Sequence, residues 1–226
     1  MLNNITKTES KKGSQTLFLI QIFSTLSFSV LYSTLIIYIT RGLRLNDTTA
    51  VAITGSFVAF NYFLHLVGGY VGGRYLSNRS LFSIGMLSQV LGCYILSLNN
   101  MSSLYWGLTA FLTGCGLNVT CINCMLTQLF EPHDKKREAA FFWNYSGMNI
   151  GFLIGFTVSG LFKTDQYSIL FLIAAAGNII SLIVILVNWK VLKDRNTHLS
   201  QAKKKKKLLM NLVGFGLILC IFFCLF

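Results

Sequence analysis

AVAITGSFVAFNYFLHLVGGYVGGRYLSNR, residues 50–79, is the stretch on which the fold turns. From Ala50 through Gly73 it carries no Asp, Glu, Lys or Arg, a run longer than the about 20 apolar residues a helix needs to cross a bilayer core. It closes on Arg74 and Arg79, basic residues of the kind that flank a span on its cytoplasmic side. Six further runs share this character: 16–40, 81–98, 104–130, 139–162, 168–190 and 208–226. The expectation is an all-α, polytopic membrane helix bundle.

Composition excludes the soluble alternatives. Of 226 residues, 54% are hydrophobic and 12% charged, with a mean hydropathy of +0.62. A soluble domain carries about a quarter charged residues and could not bury this much apolar surface in one core. The net charge of +12 would fit a nucleic-acid partner if it formed a basic face. Instead the basic residues sit in short loops between apolar runs, so no nucleic acid is expected. With the N-terminus in the cytoplasm, that side collects Lys7, Lys11, Lys12, Arg74, Arg79, Lys135, Lys136, Arg137, Lys190, Lys193, Arg195 and Lys203 through Lys207, sixteen of nineteen. Arg41, Arg44 and Lys163 remain outside. This bias predicts a multi-pass protein of a bacterial-type plasma (inner) membrane with a cytoplasmic N-terminus. Seven spans would then leave the C-terminus outside, and Lys203 through Lys207 would hold anionic headgroups at the inner surface. The last apolar run ends at Phe226 with no polar residue after it, as expected of a chain cut short within a longer protein.

The cysteines all lie inside apolar runs, where Cys behaves as a small hydrophobe. Cys121 and Cys124 form a CxxC without a second half, so neither a metal site nor a cofactor is expected. Small residues at four-residue spacing, Gly68/Gly72, Gly69/Gly73 and Gly147/Gly151/Gly155/Ser159, mark close helix approaches. Polar residues at membrane depth must find partners or line a wet cleft. Asn61, Tyr62 and His65 lie in the second run; Asn118, Thr120, Asn123, Thr127 and Gln128 in the fourth; Asn144, Tyr145 and Asn149 in the fifth. No carboxylate accompanies them, and His65 is the one side chain at that depth with a pKa near neutrality.

The order of these features resembles the N-terminal half of the proton-dependent oligopeptide transporters of the major facilitator superfamily. Gly68–Arg79 is similar to that family's loop between spans two and three, with Tyr62 placed before Gly68-Gly69 as a tyrosine is in the family. Tyr38-Ile39-Thr40 matches the end of its first span. Asp134-Lys135-Lys136-Arg137-Glu138-Ala139-Ala140-Phe141, then Tyr145 and Asn149-Ile150-Gly151, match its fifth. The likeness covers approximately 16–190. Five positions depart from it: Gln21, Ser24 and Thr25 stand where the family has a Glu-x-x-Glu-Arg motif tied to proton coupling, Val119 replaces a lysine that contacts the peptide, and Gly73 replaces a loop acid.

The resemblance implies a cytoplasmic tail (1–15), a six-span transporter half (16–190), a basic cytoplasmic linker (191–207) and a seventh segment (208–226). It implies carriage of di- or tripeptides or related small solutes. By their depth in the spans Tyr62, Asn118, Tyr145 and Asn149 would touch the solute, Tyr62 and Asn149 by the family match as well; His65 would serve as proton site if one exists, and Arg74 and Arg79 would serve the cytoplasmic gate and topology. The family has two such halves around its substrate, so either a second chain completes this one or it is an inactive fragment. A non-transporting membrane interaction protein is the rival reading. A membrane enzyme lacks a catalytic His/Asp/Glu constellation to support it.

Overall fold

The computed structural model describes residues 7–131, 133–162 and 165–225; Lys163 and Phe226 lie outside them. The elements are α1 (Lys7–Ile37) ending in a π-helical turn (Tyr38–Gly42), α2 (Asp47–Val71), α3 (Asn78–Leu96), α4 (Met101–Thr127), α5 (Lys135–Leu161), α6 (Tyr167–Val187), the short α7 (His198–Gln201) and α8 (Lys204–Leu225). Side chains before the helices accept from their first turns: Asn46 from Thr49, Ser77 from Ser80, Asn100 from Ser103 and Asp134 from Lys136. Each satisfies an amide that the helix itself cannot.

By length and composition, six helical segments among the described residues could cross a membrane, all of those expected except α5. At Lys135–Leu161 α5 is long enough. Its basic start, its asparagines and its glycines make it too polar to qualify alone. It is held by packing along α1. α1 also begins at Lys7, so residues expected in the tail are helical from there, with Gly13 packed against Leu129.

The helices form two groups. α5 and α6 pack on α1, while α2 and α3 pack on α4; the groups join where α3 meets α6 and α1 barely touches α2. The core divides likewise by height, one cluster around Tyr38, Phe111 and Phe171, the other around Phe82, Met86 and Leu117. The ends of the bundle are unlike. Near Glu9 gather Gly73, Asn78, Gln128 and the 188–199 segment, joined by Leu199 N–H to Gly73 O (2.9 Å), Arg195 N–H to Gln128 Oε1 (2.8 Å) and an Arg195–Glu9 pair (3.5 Å). The segments that carry the expected cytoplasmic basic residues therefore meet at one end.

Glycine permits the closest approaches. A Cβ on Gly92 of α3 would lie 2.6 Å from Phe111 N and 2.7 Å from Gly107 O, and one on Gly107 would lie 2.6 Å from Leu96. Gly85 and Gly114 meet in the same seam. These pairs recur every seven residues, not every four, and the four-residue pattern did not reveal them. Of the glycines expected to pack α2, Gly68 does so against Gly116 and Leu117. Gly72 and Gly73 instead form the turn after the helix, with Gly73 at φ +72°. The α5 stripe packs as expected, with Gly147 on Phe18, Gly151 on Ile22 and Thr25, and Gly155 on Ser29 of α1.

Replacing Gly92 by Leu forces side chain into backbone and should cost about 2 kcal/mol. Gly55→Leu, where nothing lies within 4 Å, should be neutral. Thermal unfolding of the two variants in detergent would show it, and equal melting temperatures would contradict the close α3–α4 approach.

Candidate functional site

The gap between the α1–α5 and α2–α4 pairs leaves an open face. One end of it is closed by aromatic rings: Phe28 of α1 stacks on Phe57 of α2 (6.2 Å) and meets Phe152 of α5 edge-on (6.3 Å). On α2, Tyr62 is 67% exposed and its ring meets that of His65 at 5.8 Å. His65 is half-buried, with Nε2 unpaired among the described residues, and Thr120 of α4 donates to its carbonyl at 2.8 Å. On α5, Tyr145 is 60% exposed and accepts through its carbonyl from exposed Asn149 Nδ2 (3.2 Å). Three expected solute contacts therefore stand uncovered.

Asn118 is placed differently. It is buried in the α3–α4 seam, its Oδ1 pressed toward Gly85, and its amide has no hydrogen-bond partner among the described residues. Beyond Trp106, the uncovered side chains of α4 are Val119 and, one turn on, Asn123. Helical phase explains the difference. Asn118 lies about 100° around the helix from Val119, whereas Asn123 follows it by four residues on the same face. The resemblance had matched Val119 to a solute-contacting lysine, and counting from it would have found Asn123.

Along α1, the positions that match the charged family motif form a neutral chain. Asn144 Nδ2 of α5 donates to Gln21 Oε1 (3.3 Å), and Gln21 Nε2 donates to Thr25 Oγ1 (3.0 Å). Further along the seam, Ser29 Oγ donates to Gly151 O (3.3 Å), and Ser33 Oγ bonds Ser159 Oγ at 2.7 Å. Gln21, Thr25, Ser29 and Asn144 are buried, so these hydrogen bonds supply the partners that hydrocarbon cannot. Carboxamides and aliphatic hydroxyls do not change charge at ordinary pH, so this chain of hydrogen bonds takes up no proton.

At the basic end, Arg74 is exposed with its guanidinium 4.6 Å over the Tyr70 ring. Arg79 lies 4.5 Å over Trp189 and donates to its carbonyl. Asp194, which was not singled out in the sequence, completes the cluster. Its Oδ2 accepts from Asn78 N (2.9 Å) and its Oδ1 from Asn78 Nδ2 (3.2 Å), placing a carboxylate on the first turn of α3. Burial pushes this carboxyl above the usual range, against the opposing pull of the Asn78 hydrogen bonds and the Arg79 charge. Gly73 stands where a loop acid was expected, and the linker after α6 brings an acid back to the start of α3.

These features define a multi-pass, all-α membrane protein with polar residues both inside its helix seams and on its exposed faces. The chain belongs to the Major Facilitator Superfamily, whose model matches residues 17–226. It is 25% identical over 208 residues to dipeptide and tripeptide permease A of Serratia proteamaculans (strain 568), covering 90% of this chain and 41% of that one. It is 27% identical over 185 residues to dipeptide and tripeptide permease B of Aliivibrio fischeri (strain MJ11), covering 80% and 37%. The crystal structure of a POT family transporter in complex with a thioalcohol-conjugated peptide shares the fold at TM-score 0.79 and 23% identity, over 92% of this chain and 45% of that one. The chain thus spans less than half the length of these relatives.

Two measurements check this geometry. In a background without the six native cysteines, Tyr62→Cys, Asn123→Cys and Asn149→Cys should react with a membrane-impermeant thiol reagent at least about tenfold faster than Asn118→Cys; equal rates would place Asn118 on the open face. Asp194→Ala should lower stability by about 1 kcal/mol through loss of the α3 contact, and Asp194→Asn by less, read from melting temperatures in detergent.

Proposed function

We propose that this chain is the solute-binding N-terminal half of a peptide carrier, moving di- or tripeptides or related small solutes together with a complementary second half. The observation that carries the reading is the open face itself. Tyr62, Tyr145 and Asn149 stand uncovered at membrane depth on two helices that do not pack on each other, which costs free energy unless a solute or facing helices complete them. Tyrosine hydroxyls and a carboxamide suit peptide groups, which both donate and accept. Asn123 joins them from α4. Asn118 shapes the α3–α4 seam behind them. Arg74 and Arg79, with Asp194, serve the gate at the basic end, which the charge bias assigns to the cytoplasm of a bacterial inner membrane.

A single half cannot enclose a site that the family holds between halves, so a complementary half, on the same or another polypeptide, supplies the other wall. Proton coupling, if present, does not run through the neutral Gln21–Thr25–Asn144 chain. Among the described residues His65 is the imidazole at this depth, the side-chain type whose ordinary pKa is near neutrality. The neutral chain also favours one second reading, a half that binds solute without driving its accumulation.

Liposomes containing the chain, alone and with its membrane partners retained by mild extraction, distinguish these readings. Labelled dipeptide should enter only with partners present and should fall about tenfold or more in Asn149→Ala. A pH gradient should raise accumulation in the native chain and fail to do so in His65→Asn. No dipeptide entry under any of these conditions would defeat the carrier reading.

A further inference from the structure

A crevice of about 550 Å³ opens at the basic end between α1 and α5. Ser10, Lys11, Ser14, Gln15 and Phe18 of α1 line one wall; Lys136, Ala139, Ala140 and Trp143 of α5 line the other, with Phe130 between them. From this geometry we infer a binding site for an anionic phospholipid, its phosphate held by Lys11 and Lys136 and its upper acyl chains lying on Phe18 and Trp143.

The two walls repeat one gradient. Each lysine precedes its aromatic residue by seven positions, Lys11 to Phe18 and Lys136 to Trp143, which is roughly 10 Å along a helix. Both helices start at the basic end, so the lysines sit side by side at its rim and the rings lie together below. Phe18 and Trp143 meet edge to face at 5.9 Å and floor the crevice. A cationic rim over an aromatic floor at that depth matches a lipid's order of phosphate, glycerol and acyl chain, and tryptophan favours that level of the membrane. Ser10, Ser14 and Gln15 supply polar atoms beside the lysines, and among the described residues no carboxylate lines the crevice. The charge therefore selects an anion and rejects a peptide amine.

This site is separate from the proposed solute face. Trp143 and Tyr145 are two residues apart on α5 and so point about 160° away from each other. Tyr145 shares its side with Phe152, which meets Phe28 on the α2 side. The crevice thus opens from the opposite flank of α5, toward the surrounding bilayer.

The test is quenching of tryptophan fluorescence in the full chain, held in nonionic detergent, by phosphatidylglycerol or phosphatidylcholine with brominated acyl chains. Saturable quenching should appear with an apparent affinity about tenfold higher for phosphatidylglycerol and should vanish in Trp143→Phe. Lys11→Gln/Lys136→Gln should bring the two lipids within about twofold, while Lys204→Gln/Lys205→Gln should leave the preference intact. Unchanged helix content by circular dichroism shows that each variant is folded; for a misfolded double variant, Lys136→Gln alone should reduce the preference about threefold. Equal affinities in the native chain, persistence of the quenching in Trp143→Phe, or an equal loss in the Lys204/Lys205 variant would overturn the assignment. So would full displacement of the lipid by an equal concentration of glycerol phosphate, which would reduce the site to a free-anion site. None of these readouts involves peptide movement, so the result is independent of the carrier reading.

Discussion

Inside a bilayer, an amide or hydroxyl cannot fall back on water, and this constraint organises the bundle. It favours polar side chains that either bond across a helix seam or stand uncovered, although Asn118 does neither. The α1–α5 seam shows the first solution: Asn144, Gln21 and Thr25 exchange hydrogen bonds, and Ser29 and Ser33 reach Gly151 and Ser159 further along. The same seam needs Gly147, Gly151 and Gly155, because serine and threonine hydroxyls reach a neighbouring backbone only when the helices lie close. Tyr62, Tyr145 and Asn149 show the second solution. Their exposure is what supports the proposal that the open face is a site.

The basic end is built by a related economy of partners. Asn78 begins α3 with a backbone amide that no turn of that helix can satisfy, and Asp194 reaches it from a linker more than a hundred residues away. That contact ties the loop after α2 to the segment after α6. Arg79, stacked on Trp189 and bonded to its carbonyl, ties them a second time. The Gly73 carbonyl then receives Leu199 N–H, so the position that lacks a loop acid is still a fixed point of the structure, through its backbone. A glycine at φ +72° is suited to that role, since other residues adopt such a turn only at a cost.

Much of this was legible in the chain because membrane helices are written in long apolar runs. Helix order and the gathering of basic segments at one end follow from runs and charges alone. The α5 stripe was legible too, since Gly147, Gly151 and Gly155 repeat at the spacing of one helix face. What could not be read was facing. Asn118 and Asn123 look equivalent as polar residues in an apolar run, and only the position of α3 turns one inward and leaves the other bare. Gly72 and Gly73 likewise fit a packing motif by spacing, while the turn beyond Val71 claims them. Asp194 gave no signal, because a carboxylate in a basic linker reads as a solvated charge until its partner at residue 78 is known.

The neutral seam also bears on how such a half could work. A charged pair between α1 and α5 would change its interactions when a proton arrived, and so could link protonation to helix movement. The hydrogen bonds of Gln21, Thr25 and Asn144 have the same strength at any pH the protein meets, and the glycine contacts beside them admit no looser packing without exposing those bonds to hydrocarbon. The α1–α5 pair is therefore closely bound, and contacts are sparse where α1 faces α2 and α4. His65 sits on the α2 side of that division, with its carbonyl held by Thr120 and its ring against Tyr62. Any response to protons on the open face would begin there, across the division from the neutral seam.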